Sequence, residues 1–270
     1  MIVQISTPQL ELWRIEGEFI NLPHSHENEY QITIPIHGAC LLTQENKNYR
    51  LVDGSGLVQH PQDQHYFEIG VQSGVLIFKV NQNSLKELTR REEIEFSLRQ
   101  QFDPSFLSEK FRKWMSTLLA YDPTDRLAQE EMESQILSYL YGALSGNHKS
   151  NSYTDPNERA SLPGTDPYMG KALEYIHAHY TDEIEIHTLA SIALQSRFHF
   201  IRSFKAAIGV TPYQYVLRLR MDEARRKLQR SSMSITDISF SLGFSSVSQF
   251  YRAFVKAVGL TPEQFRNSFN

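Results

Sequence analysis

Two groups of side chains, fifty residues apart, have the types and spacing to read a nucleic acid. Phe198, Ile201, Arg202 and Lys205 form the first group; Ser248, Tyr251, Arg252 and Val255, with Gln249 at their margin, form the second. In each group the residues recur at three- and four-residue intervals, so at about 100° per residue a helix presents them on one side. Arg and Gln carry donors that match guanine and adenine edges in a major groove, while Lys and Ser reach phosphates. Phe198 and Ile201 are apolar on such a face; contact with thymine methyl groups and packing on neighbouring side chains both suit them. Tyr251 suits either a hydrogen bond to phosphate or cover for Arg252.

The elements that carry these groups are written twice. Phe204-Lys205-Ala206-Ala207-Ile208-Gly209-Val210-Thr211-Pro212 matches Phe254-Val255-Lys256-Ala257-Val258-Gly259-Leu260-Thr261-Pro262 at an offset of 50, and Ser196 and Phe200 match Ser246 and Phe250. Leu189 to Ala193 has its counterpart in Ile238 to Leu242 at an offset of 49. One supersecondary unit therefore occurs twice. Leu189 to Leu194 reads as a short helix, followed by a tight turn at Gln195-Ser196 in the first copy and at Gly243 to Ser246 in the second. Ser196 and Ser246 suit the N-cap of the next helix. That helix buries Phe200, Phe204, Ala207 and Ile208, or Phe250, Phe254, Ala257 and Val258, and stops at Gly209 or Gly259. Thr211-Pro212-Tyr213-Gln214 and Thr261-Pro262-Glu263-Gln264 then each open a further helix, with Thr as cap, Pro as first residue and Gln completing a capping box. Helix, turn and helix, twice, make a pair of helix-turn-helix units.

Charge divides in the same way. Residues 167–270 hold 13 Lys and Arg against 8 Asp and Glu, a net +5, whereas residues 1–166 hold 14 against 23, a net −9. An acidic half joined to a basic half points to two tasks, with the basic half facing a polyanion. At 270 residues, of which 40% are hydrophobic and 21% charged, the chain is an ordinary globular protein of about two domains. No apolar run approaches the ~20 residues of a membrane span, so no membrane partner is expected. Met1 to Arg14 lacks the basic start and apolar stretch of a secretory signal, and a cytoplasmic location is expected. The single cysteine, Cys40, excludes an internal disulfide and a multi-cysteine zinc site.

The acidic half begins as β structure. Ile32, Ile34 and Ile36 alternate with Gln31, Thr33 and Pro35, the period of a half-buried strand. Gly56 to Val58 and Val75 to Phe78 are further short runs, bounded by turns such as Asp53-Gly54 and Ser73-Gly74. An antiparallel barrel is expected over residues 1–83. From Ser84 the pattern is helical: Phe106, Phe111, Trp114, Leu118 and Leu119 share a broad face, Asp122-Pro123 ends that run, and Met132, Ile136, Leu137, Leu140 and Leu144 line a second. The resulting hairpin, residues 84–146, is expected either to cover the barrel or to join two copies in a homodimer. Residues 147–166 read as a linker before an all-helical 167–270.

The segment from Tyr168 to Phe269 resembles the DNA-binding domain of AraC-type transcription regulators. The likeness rests on Leu189-Ala190…Ser196…Phe200…Phe204-Lys205…Gly209…Thr211-Pro212, on Arg220…Ala224…Leu228, and on Ile235…Asp237-Ile238…Gly243-Phe244…Ser246…Phe250…Phe254…Gly259…Thr261-Pro262…Phe265-Arg266. Ser239 stands where the family usually has Ala, Phe265 where Tyr is usual, and Val255 where a Lys is common. The resemblance implies two helix-turn-helix units joined by a long helix, here Pro212 to Gln229, entering adjacent major-groove segments about one turn, roughly 34 Å, apart. By position it assigns Arg197, Phe198, Ile201 and Arg202 to the first base-facing set and Ser248, Gln249 and Arg252 to the second, with Lys205, Ser246 and Tyr251 beside them. Double-stranded DNA is thus the expected partner, and RNA polymerase a further one.

Pro23 to Glu29 with Gly38, and Gly56…Pro61…His65, resemble the two motifs of cupin barrels, which many AraC-type regulators carry as effector-binding domains. The whole chain then reads as an α+β, two-domain regulator: a cupin-like barrel with a helical hairpin, then an all-α DNA-binding domain. Its barrel would hold a small-molecule effector, with Trp13, His24, His26, Tyr30, Gln31, His65 and Phe67 as candidates. In metal-binding cupins these motifs supply a ligand set that His24, His26 and His65 would match, with Glu29 or Glu27 as the carboxylate, suited to zinc, iron or nickel; Tyr30 lies nearer than Glu29 to the usual Glu position. No organic cofactor and no catalytic residue is expected. The alternative is a cupin metalloenzyme with an accessory helical domain.

Overall fold

A computed structural model describes residues 1–120, 125–146 and 167–269. The chain forms two compact units, Met1–Thr117 with Gln135–Pro156, and Leu118–Ser134 with Asn157–Asn270.

The first unit holds ten strands: β1 (Ile2–Ser6), β2 (Leu10–Glu16), β3 (Phe19–Ile20), β4 (Glu29–His37), β5 (Ala39–Gln44), β6 (Lys47–Val52), β7 (Ser55–Gln59), β8 (His65–Ile69), β9 (Gly74–Asn81) and β10 (Arg99–Gln101). They pair antiparallel in a six-stranded sheet, β1-β2-β9-β4-β7-β10, and a four-stranded sheet, β3-β8-β5-β6. Ile15, Val75 and Ile77 of the first sheet meet Cys40, Leu42, Phe67 and Ile69 of the second in one core.

Successive strand residues point to opposite faces, so Phe78 and its neighbours Leu76 and Val80 turn away from that core. Phe78 instead meets the rings of Phe111 and Trp114, on the helix α2 (Pro104–Ala120) that follows α1 (Gln82–Thr89). Ile32 and Ile34 pair directly with Phe78 and Leu76. Helices on one side and the barrel interior on the other therefore bury β4 on both faces, where alternation alone predicts a half-buried strand.

Two boundaries differ from the sequence expectation. The sheet does not end at residue 83: Arg99 to Gln101 pair with Leu57 to Ser55 and cover the edge of β7. The hairpin consequently starts at Pro104. On α2 the core stripe is Leu107, Phe111, Trp114 and Met115, while Phe106 and Leu119 are exposed. Its partner α3 (Arg126–Leu144) buries Met132, Ile136, Leu137, Leu140 and Leu144 as expected. The Asp122-Pro123 break and the 147–166 linker lie outside the described residues.

Among the described residues, the second unit takes the first half of α3 and seven further helices: α4 (Pro167–His179), α5 (Ile186–Ile192), α6 (Arg197–Ile208), α7 (Pro212–Arg230), α8 (Ile235–Ser241), α9 (Val247–Val258) and α10 (Pro262–Asn267). The repeated caps form in both copies. Ser196 Oγ accepts from the His199 amide and Ser246 Oγ from the Gln249 amide. Gly209 and Gly259 end their helices in the left-handed region, and Thr211/Gln214 and Thr261/Gln264 are complete capping boxes.

The long helix α7 serves two cores. Val216 packs with Phe200 and Phe204 in the first, and Met221, Ala224 and Leu228 pack with Phe250 and Phe254 in the second. Between them, buried Arg220 donates to the carbonyls of Tyr180 (2.6 Å), Asp182 (3.0 Å) and Gly243 (3.1 Å). Gly243 has φ 76°, and a Cβ there would collide with the Thr181 carbonyl, so this turn admits only glycine. Among the described residues no helix is long and apolar enough to cross a membrane.

Candidate nucleic-acid interface and barrel pocket

Ser196 and Ser246 cap α6 and α9, their hydroxyls accepting from the first-turn amides of His199 and Gln249. Of the ten candidate contact residues, Lys205, Ser248 and Arg252 are exposed, and Arg202, Ser246 and Tyr251 are half-buried. Arg197, Phe198, Ile201 and Gln249 are buried. Ile201 belongs to the first core cluster, which also contains Leu127 of α3. The Arg197 guanidinium stacks 4.6 Å from the Phe198 ring centre. Gln249 Oε1 accepts from the Ser245 amide at 3.1 Å, and its Nε2 donates to Asp125 Oδ2 at 3.4 Å. Phe198 and Ile201 are thus buried rather than set on an open helix face, and Ile201 shares its cluster with Leu127, about seventy positions upstream.

In the first unit a cavity of about 240 Å³ opens between the two sheets. Trp13, Ile15, Phe19, Phe67 and Ile77 form its apolar wall, and Asn21, His24, Gln31 and Lys79 supply polar groups. Lys79 Nζ lies 3.4 Å from Glu11 Oε2 and 5.6 Å from the Trp13 ring centre. Behind Gln31, a buried chain runs from Gln31 Nε2 to Thr33 Oγ1 and on to Gln59 Oε1. Trp13, His24, Gln31 and Phe67 therefore line the cavity as anticipated. Tyr30 does not: adjacent to Gln31, it points to the other face, where its hydroxyl donates to the Ile94 carbonyl at 2.6 Å and its ring meets Phe96.

His26 and His65 stand beside His24, with ring centres 5.0 and 4.4 Å from it. One ligand-capable atom from each of the three lies within 4.8 Å of the others. The Nδ1 atoms of His24 and His65 bond the carbonyls of Leu22 (2.8 Å) and Asp63 (2.9 Å). A carbonyl only accepts, so these Nδ1 atoms carry the hydrogens and the lone pairs remain on Nε2. His65 Nε2 is buried without a hydrogen-bond partner. Burial pushes the His65 imidazole down to about 4 and lowers that of His26, so both are neutral near pH 7. Glu29 stands outside the three-histidine cluster, with Oε2 3.5 Å from His26 Nδ1.

Comparison with known proteins agrees with this pairing of a barrel with a doubled helix-turn-helix. Residues 13–152 match the family model of the AraC-like ligand binding domain, and residues 189–268 match a helix-turn-helix domain. The chain belongs to the AraC-type transcription regulators. It is a DNA-binding regulator with an N-terminal ligand-binding domain. Among its relatives, the uncharacterized HTH-type transcriptional regulator YobQ of Bacillus subtilis is 26% identical over 93% of this chain and 91% of its own. The probable transcriptional regulator LumQ of Photobacterium leiognathi is 25% identical over 98% of both chains. The solved structure of ToxT from Vibrio cholerae covers 97% of both chains at 14% identity, with a TM-score of 0.35.

In this AraC-type regulator, sequence reasoning missed Ile15, Phe19, Asn21, Ile77 and Lys79 of the cavity. For Ile77 and Lys79 a signal was present: the two-residue period of β9 places both on the inner face with Val75. For Phe19 and Asn21 there was none, because β3 is two residues long.

Proposed function

We propose that this AraC-type regulator reads two adjacent major-groove segments of an operator through α6 and α9, and that a small molecule in the barrel cavity sets that binding. Arg202, Lys205, Ser246, Ser248, Tyr251 and Arg252 make the first contacts; Arg197, Phe198, Ile201 and Gln249 join them once uncovered. The observation that carries this reading is the helix-turn-helix repeated with identical capping in both copies. The regulator works in the cytoplasm without catalytic turnover, with RNA polymerase as a further partner and a homodimer formed through the α2–α3 hairpin. Arg202→Ala and Arg252→Ala are each expected to weaken binding to a selected duplex by about 1–3 kcal/mol and to relax base preference at one position. Unchanged affinity in both variants would show that these helices do not read bases.

The unpartnered Nε2 of buried His65 supports a second occupant, a divalent metal such as zinc, iron or nickel, at the histidine cluster that meets the cavity through His24. His24, His26 and His65 would hold it, with Glu29 as the nearest carboxylate. In His24 and His65 a backbone carbonyl fixes Nδ1–H and turns Nε2 toward the cluster, whereas His26 Nε2 meets Gln31 Oε1 at 3.2 Å and leaves Nδ1 as its ligand atom. The metal would act as a Lewis acid gripping a polar group of the effector. Elemental analysis of protein purified without a nickel column is expected to find one metal per chain, lost in His65→Ala. A metal-free wild type would remove the metal and leave the cavity as an organic pocket.

A further inference from the structure

The first half of α3 meets one buried residue of each reading helix, Ile201 of α6 in an apolar cluster and Gln249 of α9 through Asp125. Together with Asp125 just before it, the stretch to Glu133 carries four carboxylates and one base. Leu127 is its apolar anchor, buried in one cluster with Ile201 of α6 and Val216 of α7. Polar contacts surround that anchor. The Ile186 amide donates to Glu130 Oε2 at 2.6 Å, and the Tyr213 amide donates to Glu131 Oε2 at 3.0 Å. Arg126 pairs with Glu183 at 3.0 Å and with Glu185. Asp125 accepts from Gln249 of α9; burial raises the Glu130 pKa, and the Arg197 charge opposes that rise. One short segment thus bonds α5 at Ile186, α7 at Tyr213 and α9 at Gln249, and shares an apolar cluster with Ile201 of α6. Phe198 is 2% exposed, Ile201 7%, and Arg197 and Gln249 9% each, which is too little for any of them to meet a base edge. The carboxylates add repulsion toward phosphates.

We propose that residues 125–134 form an intramolecular clamp that competes with DNA for the reading face, so that operator binding requires this segment to leave it. The proposal rests on the assignment of α6 and α9 as reading helices. The clamp is well placed for control, because α3 continues past Gln135 into the unit that contains the barrel. An effector that favours the released arrangement raises DNA occupancy, and one that favours the clamped arrangement lowers it.

Substitutions in the clamp separate it from a simple charge effect. Leu127→Ala leaves the charge unchanged and removes the anchor. Glu131→Ala removes the acceptor of the Tyr213 amide. Glu131→Gln keeps an acceptor and discards a buried charge, whose burial already raises its pKa. Full-length protein is titrated against a fluorescent pool of random-sequence duplex at fixed salt, and hydrogen exchange is followed over residues 197–205. Leu127→Ala and Glu131→Ala are expected to speed exchange there and to bind DNA about tenfold tighter, the gain when a closed state holding about nine-tenths of the molecules is lost. Glu131→Gln is expected to bind no tighter than wild type. Misfolding cannot produce the gain, and lost negative charge predicts the same gain for both Glu131 variants. Faster exchange with unchanged affinity, in a protein whose affinity still falls in Arg202→Ala, overturns the clamp and leaves the reading helices standing. Absence of DNA binding in every variant overturns the reading helices and the clamp with them.

Discussion

Arg202, Arg220 and Arg252 are the same residue type doing different work, and only their surroundings separate them. Arg252 is exposed on α9 and Arg202 half-exposed on α6, whereas Arg220 is buried and bonded to three backbone carbonyls from the α4–α5 connection and the turn before α9. Burial pushes its pKa down, yet a guanidinium remains charged under any ordinary condition. Arg220→Met approximates the stem and removes the donors. It is expected to destabilise the DNA-binding unit by about 3 kcal/mol or more, since buried carbonyls of Tyr180, Asp182 and Gly243 lose their partner. Urea denaturation measures this; a loss under about 1 kcal/mol would mean that water replaces the side chain and that the two helix-turn-helix units are not tied together through it.

Among the elements, those with local causes were legible in the sequence. Ser196, Gly209, Thr211 and Gln214, and their partners fifty residues on, act within one turn of the chain, so their types alone define where α6, α7, α9 and α10 begin and stop. The one-residue difference between the copies also has a local form: Leu194 takes φ 54° where the second copy has Gly243 at 76°. Elements with distant causes were not legible. β10 exists because β7 offers it an unpaired edge, and three residues in a charged stretch carry no strand period. The reading face looked open because the helical wheel of α6 cannot show Leu127. In the barrel, the three histidines converge only because β8 brings His65 to the bridge with His24. The motif spacing named that cluster, and the strand pairing positions it.

At the scale of the whole molecule, the split of charge between the halves matches two units with separate tasks, but the division does not fall at the linker. It falls inside α3, whose acidic first half belongs with the basic helices. Under the proposed clamp, carboxylates from the acidic half compete with phosphates for α6, where Arg197, Phe198 and Ile201 are buried. The measurement that tests the account most directly is binding selection on random duplex DNA with the full-length Leu127→Ala protein, followed by sequencing and compared with wild type. The account predicts one shared motif of two elements about one helical turn apart, enriched faster by the variant. Failure of both proteins to enrich any sequence would contradict it.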